Sequence, residues 1–487
     1  MILKKNNLVL GFIAISLITL LGFSMVGMSS IVFNPKTFFD LNALEPEESL
    51  IWGSPMGTYI AKSVVMSDDG YLYVVGYADH DGTDNFDVYI KKLDFALNSE
   101  WITYWGGSEN DYGEDIAIAQ NGDIVVVGSS HSYPGPGYQL FIATFDPITG
   151  GEQSNATLDL NGDSVLWGVD VGPDGRIYTC GDVHYTGDFE DYDAVYIIWN
   201  DDLTVDVNGV WLNGAAESTD RARDIKATTD WGFVIVGETE SSGAGAYDGF
   251  IALYDWQGIL VTNETWGGAQ MERFDGIVLT EESSFKAYVA GWTNTGEVGW
   301  YDASIICYNS TIDLQWTANY TNPLIHDVYY DITLGSDDYL YATGHTNENG
   351  TTDTLIVKCD TAGVVQDSGI WGNTTAEDAG YGIIAGGNYS IFVCGGTNCA
   401  QFTPPFVQDA YLLKYGFPPT TTPPTTTSPP PTTTSPNTTS PPPNETTTNT
   451  TPITTGTFSI NGYTLVTTVS STFIVTLTYI LYKKRQK

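Results

Sequence analysis

The sequence is short of positive charge. Its 487 residues carry 18 Lys and Arg against 59 Asp and Glu, a formal net charge of −41. Phosphate binding draws on an excess of basic side chains, so a nucleic-acid partner is excluded. Charged residues of both signs make up only 16% of the chain, so the acidity reflects missing bases more than a charge-saturated, halophile-type surface. Cysteine is scarce as well: five residues are odd in number and too few for a disulfide scaffold. No nucleophile elbow, H-E-x-x-H, P-loop or dinucleotide fingerprint stands in the context that its chemistry needs. What remains is 42% apolar and 13% aromatic, enough for a sizeable core and too much for a disordered acidic chain.

Long apolar runs occur only near the two ends. Lys4 and Lys5 precede the run Leu8–Met28, which reads as a signal peptide or a retained N-terminal anchor within residues 1–30. Residues 418–456 hold 12 Pro, 18 Thr and 3 Ser, a composition that cannot build a core and favours extended polyproline II. Such a tract reads as an O-glycosylated stalk, long enough to reach on the order of 120 Å at about 3.1 Å per residue. Residues 463–482 follow as a candidate helical transmembrane segment, diluted by hydroxyl side chains that can bond back to helix carbonyls. The basic tail 483–487 is expected to stay cytoplasmic. This order places the acidic block between the ends outside the cell. Ten N-x-[ST] sequons agree with export and are candidate glycosylation sites: Asn155, Asn263, Asn309, Asn319, Asn349, Asn373, Asn388, Asn437, Asn444 and Asn449.

Self-comparison of the acidic block gives the fold. A Gly closes a β-branched or aromatic run at Gly76, Gly128, Gly181, Gly237, Gly291, Gly344 and Gly395, a period of roughly 53 residues. Each run follows a polar turn such as Asp69-Gly70, Asn121-Gly122 or Asp174-Gly175, with an apolar pair before it, which is a hairpin signal. A third run begins with Asp at Asp87, Asp193, Asp248, Asp302, Asp353 and Asp409, and with Gln139 in the remaining repeat. A fourth ends near Trp105-Gly106-Gly107, Trp211, Trp266-Gly267-Gly268, Trp316 or Trp371-Gly372. Four strands repeated seven times predict an all-β, seven-bladed β-propeller over 49–416, since radial closure protects sheet edges. The last repeat lacks its fourth strand, and a spare one stands at Ser49–Gly53, so the N-terminal strand is expected to complete the last blade.

The stretch from Trp105 to Gly128 (WGGSENDYGEDIAIAQNGDIVVVG), with Tyr247–Asp255 (YDGFIALYD) for the next strand, resembles the seven-bladed propeller repeat of bacterial and archaeal surface proteins. The likeness covers 50–416 and is weakest in the third repeat, where Leu160-Asn161-Gly162 replaces Trp-Gly-Gly. It implies fold and export, and no defined activity. The Asp-box of sialidase propellers is missing from the Asp-Gly turns.

Candidate chemistry lies where loops share one face of the ring. An acid stands five residues before the inner-strand Ile at Asp111, Asp220, Glu272, Asp327 and Asp378, and the strand-three Asp set begins on the same face. Converging carboxylates suit Ca²⁺ or a polyol, whereas repeated ones suit turn capping, and repetition argues for scaffold. No cofactor is expected beyond that possible Ca²⁺. His80, His131 and His184 follow the strand-two Gly in consecutive repeats, as solvated loop residues or a metal-binding arc. Tyr112, Trp167, Tyr329 and Tyr381 fit packing against the next blade or stacking on sugars. Cys394 and Cys399 are close enough to staple a loop, while Cys180, Cys307 and Cys359 read as buried small apolar residues. The sequence thus favours a membrane-anchored, non-enzymatic surface module for adhesion, ligand capture or envelope structure, with carbohydrate or surface proteins as partners. The alternative is an extracellular glycan-active hydrolase or lyase using the loop-face carboxylates.

Overall fold

The computed structural model describes residues 44–416, apart from the segments 55–56, 84, 136, 186–191, 212–217, 281–283, 295–299, 321–324, 373–375 and 399–407. It also describes the backbone of 454–460 and 463–469. The expected leader 1–30, most of the stalk, the tail 483–487, Cys399 and the sequons at Asn373, Asn437, Asn444 and Asn449 lie outside the described residues.

Each sequence period folds into one four-stranded antiparallel sheet. In the first blade the strands Tyr59–Met66, Leu72–Ala78, Asp87–Leu93 and Ser99–Trp105 pair in chain order. Five more sheets repeat that order, their first strands beginning at Asp111, Gly162, Asp220, Glu272 and Asp327. The last blade takes three strands from its own repeat, beginning at Asp378, Ser390 and Asp409. Its outer strand is Glu48–Trp52, with Leu50 opposite Leu412 and Ile51 opposite Tyr411. All seven first strands contribute to one central cavity, so the blades close around an axis. The chain is a seven-bladed β-propeller, fastened by its own first strand.

The second and third strands are mostly apolar because both of their faces are buried. Val74 points into the cluster shared with the seventh blade, through Phe392 and Leu412, while Val75 points into the cluster shared with the second, through Ile124 and Phe141. The described residues form seven such clusters, one for each interface between neighbouring blades. Outer strands have one wet face and alternate accordingly, as in Leu314–Tyr320.

The period-marking glycines have a steric cause. A Cβ on Gly76 would lie 1.8 Å from the Ile60 carbonyl oxygen, and one on Gly237 would lie 1.9 Å from that of Arg221. Opposite each of these glycines the first strand slips by one residue, between Ala61 and Ser63 in the first blade and between Ala222 and Asp224 in the fourth. A bulge of this kind leaves one residue unpaired and re-aims its side chain.

Residues Thr454–Ile460 and Tyr463–Val469 form an antiparallel hairpin. Of the expected membrane segment 463–482 only Tyr463–Val469 is described, in this hairpin, where Thr464, Val466, Thr467, Thr468 and Val469 are β-branched and suit a strand. The rest of that segment, 470–482, lies outside the described residues. Among the described residues no helix is long and apolar enough to cross a membrane.

Candidate functional site

The acids expected at the loop face are not in loops. Asp111, Asp220, Glu272, Asp327 and Asp378 each open a first strand, and all five are buried. Each faces a hydroxyl across the hairpin: Ser130, Thr239, Thr293, Thr346 and Thr397. The two blades without the acid also lack the hydroxyl, pairing Tyr59 with Ala78 and Ser164 with Val183. Asp111 accepts from the Gly107 N–H at 2.8 Å and the Ser132 hydroxyl at 2.8 Å, and Glu272 accepts from the Gly268 N–H at 3.0 Å. Asp111 and Glu272 thereby tie the Trp-Gly-Gly turn to the hairpin, and Asp220 accepts from the Thr239 and Ser241 hydroxyls of its own blade. The strand-three Asp set serves the same corner. A Cβ on Gly106 would lie 2.5 Å from Asp87 Oδ1 and 2.4 Å from Asp111 Oδ2, so only glycine fits between the two carboxylates.

The residues that do break the repeat are the seven extruded by the bulges: Lys62, Glu114, Trp167, Arg223, Asp275, Tyr330 and Tyr381. They occupy equivalent backbone positions on the channel wall, yet comprise two bases, two acids and three aromatics. Lys62 bonds Glu114 at 2.9 Å, and its ammonium also lies 5.1 Å from the Tyr381 ring. Arg223 lies 5.0 Å from the Trp167 ring, and Tyr330 lies 5.5 Å from Tyr381. The extruded side chains thus contact one another around much of the channel. Burial disfavours a charge on Lys62, but Glu114 overrides it and holds the ammonium protonated beyond its ordinary range. Burial pushes the Asp275 carboxyl up, against the pull of Arg273, which donates to it at 2.7 Å.

One residue further along, the blades alternate between a clamp and a gap. Asp115, Asp224 and Asp331 each accept two backbone N–H groups, one from the next residue and one from the following blade: Val169 at 2.8 Å, Ile277 at 2.9 Å and Ile383 at 2.8 Å. Gly168, Gly276 and Gly382 fill the intervening blades. A Cβ on Gly276 would lie 2.8 Å from the Asp331 Cα. Burial, and for Asp331 the nearby Asp224, raises Asp331 to about 7; burial raises Asp115 to about 6, with Lys226 opposing. Lys226 bonds Asp224 at 2.9 Å.

Two cavities share Lys62, Glu114, Trp167 and Arg223 in their walls. The larger, about 720 Å³, runs toward the first hairpin turns and contains the Asp clamps. The smaller, about 520 Å³, opens on the face of the fourth-to-first and second-to-third connections, across blades one to four. Tyr77, Tyr112, Tyr138, Tyr192 and Arg221 complete much of its wall. Arg221 stacks on Tyr192 at 3.9 Å and bonds Glu238 at 3.2 Å, and Arg223 bonds the same carboxylate at 2.7 Å. Burial works to raise Glu238, but Arg223, Arg273 and Arg221 together hold it down to about 2. Five of the eleven bases in 50–416 therefore stand on first strands along the channel: Lys62, Arg221, Arg223, Lys226 and Arg273.

Other sequence candidates fall elsewhere. His80 stacks on Tyr104 at 4.0 Å and His184 on Tyr192 at 4.6 Å, while His131 lies tilted against Tyr138 at 5.0 Å, each in its own blade. Among the described residues no group of three or more His, Cys, Asp or Glu side chains is placed to hold a metal ion. Tyr112, Trp167 and Tyr381 face the cavities, whereas Tyr329 is buried between blades. Cys394 is a buried thiol packed between the seventh and first blades, its suggested partner Cys399 lies outside the described residues, and Cys180, Cys307 and Cys359 are buried thiols too. Asn155, Asn263 and Asn319 stand exposed on outer strands. Asn309 caps a turn, Asn349 donates to Asp353 at 3.0 Å, and Asn388 has a left-handed φ of 59°.

No family model matches the chain, and no curated protein does. Among solved structures, a protein of unknown function from Bacteroides caccae is 12% identical, over 62% of this chain and 93% of that one, with a TM-score of 0.39. Sqt1 from Chaetomium thermophilum is 9% identical over 77% and 100%, with a TM-score of 0.42. A protein of unknown function from Dyadobacter fermentans is 10% identical over 77% and 99%, with a TM-score of 0.43.

Proposed function

We propose that this protein is a non-enzymatic binding propeller, held outside the cell by its stalk and C-terminal anchor, that takes its ligand in the smaller cavity. One observation carries the reading. Scaffold positions repeat from blade to blade, but the channel-facing bulge positions hold Lys62, Glu114, Trp167, Arg223, Asp275, Tyr330 and Tyr381, a non-repeating set on a rigid wall. Binding sites are concave, largely pre-formed and marked by a few convergent polar groups, and this cavity has that character. Three of the acids first suited to hydrolysis, Asp111, Asp220 and Glu272, accept from hydroxyls and N–H groups of their own hairpins and turns, which favours the binding reading over the hydrolase one. Export rests on the order of leader, acidic block, Pro/Thr tract, apolar segment and basic tail. The test uses the full-length chain. Protease added to intact cells is expected to release a fragment that ends in the stalk, and glycan and protein arrays are expected to capture a ligand. Protection of the propeller from protease, or an array without signal, refutes the proposal.

A further inference from the structure

Resting on that reading, we infer that the smaller cavity takes a neutral saccharide. Size sets the first limit: about 520 Å³ accommodates one or two sugar rings and is within the range of small-molecule sites. Charge sets the second. Lys62, Arg221 and Arg223 face the cavity together with Glu114, Asp163 and Asp182, three of each sign. The bases are already held by Glu114 and Glu238, so no free cation waits for an anionic ligand. The field of a chain with net charge −41 also repels anions on approach.

The wall excludes an apolar ligand as well. Val165 is the single aliphatic side chain among the described lining residues, which otherwise carry hydroxyl, carboxylate, amine, guanidinium or aromatic groups. Tyr77, Tyr112, Tyr138, Trp167 and Tyr192 supply ring surface beside polar tips, which suits a molecule with C–H faces and hydroxyl edges. The rings are held in place: Tyr77 packs edge-on against Tyr112 at 4.8 Å, and Tyr138 lies 5.9 Å from Tyr112. Planar carboxylate and guanidinium groups pair with vicinal hydroxyls in two-point hydrogen bonds. Balanced charge and clustered tyrosines together describe a receptor for an uncharged polyhydroxylated ring.

The test presents neutral, uronic-acid-terminated and amino-sugar-terminated oligosaccharides, and a protein array, to the full-length chain in detergent. Tyr138→Ala and Tyr192→Ala serve as variants, each checked for an unchanged melting temperature. Neutral oligosaccharides are expected to bind, with at least tenfold loss of affinity in both variants. Binding restricted to charged sugars, or neutral-sugar binding indifferent to both folded variants, overturns the inference. If the variants instead abolish capture of a protein, the saccharide assignment falls while the cavity remains the binding site. If no captured ligand responds to either variant, the cavity reading falls as well.

Discussion

Between pH 4 and pH 7 this propeller is predicted to lose stability as the pH rises, the reverse of the usual acid side of a stability profile. The cause is the clamp level of the channel. An unfolded Asp titrates near 3.9, whereas Asp331 is raised to about 7 and Asp115 to about 6 by burial among like charges. Over that window the folded state holds protons that the unfolded state has released, so the stabilisation present below pH 4 is lost as pH passes 6 and 7. At about 1.4 kcal/mol per unit, the limit is about 4 kcal/mol from Asp331 and about 3 kcal/mol from Asp115. Asp409 and Asp327, each raised to about 6 by burial, act in the same direction. Glu238, held at about 2, acts oppositely and only below its unfolded pKa, so stability should peak near pH 4 to 5. General repulsion within a −41 chain also grows with pH, but added salt screens it while leaving desolvation of buried carboxylates in place. The assay is the urea midpoint at constant m from pH 4 to pH 8, in 0.15 M and 1 M salt. Asp331→Asn lowers the midpoint overall by removing a clamp acceptor, but its slope against pH should be shallower. A wild-type midpoint that rises from pH 4 to 7, or an Asp331→Asn slope equal to that of wild type, would refute the reasoning.

Three further outcomes follow from particular contacts. Asp224→Ala strands the buried Ile277 N–H and removes the carboxylate that Lys226 bonds at 2.9 Å; a loss of about 3–5 kcal/mol is expected, with faster amide exchange at Ile277 than at Ile383. Deleting residues 44–53 leaves the strand Asp409–Gly416 as an open edge and is expected to abolish cooperative unfolding and promote dimers or aggregates, read by denaturation and light scattering; a monomer with an unchanged midpoint would count against the clasp. Glycopeptide mass spectrometry of the native protein should find glycans at Asn155, Asn263 and Asn319, which stand exposed on outer strands, and none at Asn309, whose side chain accepts the Thr311 and Asp313 N–H groups at 3.0 and 2.8 Å.

The fold was legible because its main signals are steric and local. Gly76 and its six equivalents cannot carry a Cβ against the first-strand carbonyl, so the period is written in the sequence at every blade. Asn121-Gly122 turns with φ of 93° at the glycine, and Ser49–Trp52 has no partner in sequence other than the incomplete last repeat. The site was harder to see for the same reason. The acids that stood out, Asp111, Asp220, Glu272, Asp327 and Asp378, did so by repeating, and repetition marks the corner they hold together. Lys62, Glu114, Arg223 and Asp275 were hidden because side chains in a regular strand alternate between two faces, and a reading at period two does not see a bulge. The available signal was the slip itself: opposite each marker glycine, one residue of the first strand is unaccounted for by pairing, and its identity changes in nearly every blade.

The clamp level shows how an odd number of blades constrains chemistry. Its residues, from the first blade to the seventh, are Ser63, Asp115, Gly168, Asp224, Gly276, Asp331 and Gly382. An Asp reaches the backbone of the next blade only if that blade presents no side chain there, so Asp and Gly must alternate. Seven positions cannot alternate around a closed ring, and one junction must differ. Ser63 takes that place. It is small enough for Gly382 to lie close, a Cβ there falling 2.9 Å from the Ser63 Cα, and polar enough to donate to Asp115 at 2.6 Å. The Asp clamps span the second–third, fourth–fifth and sixth–seventh junctions, and Ser63 stands where the alternation breaks, between the seventh and first blades. There the ring is closed by the packing of Tyr59, Leu72, Tyr89, Phe392 and Leu412, by the Tyr59 N–H donating to the Gln408 carbonyl at 2.8 Å, and by the paired strand Glu48–Trp52.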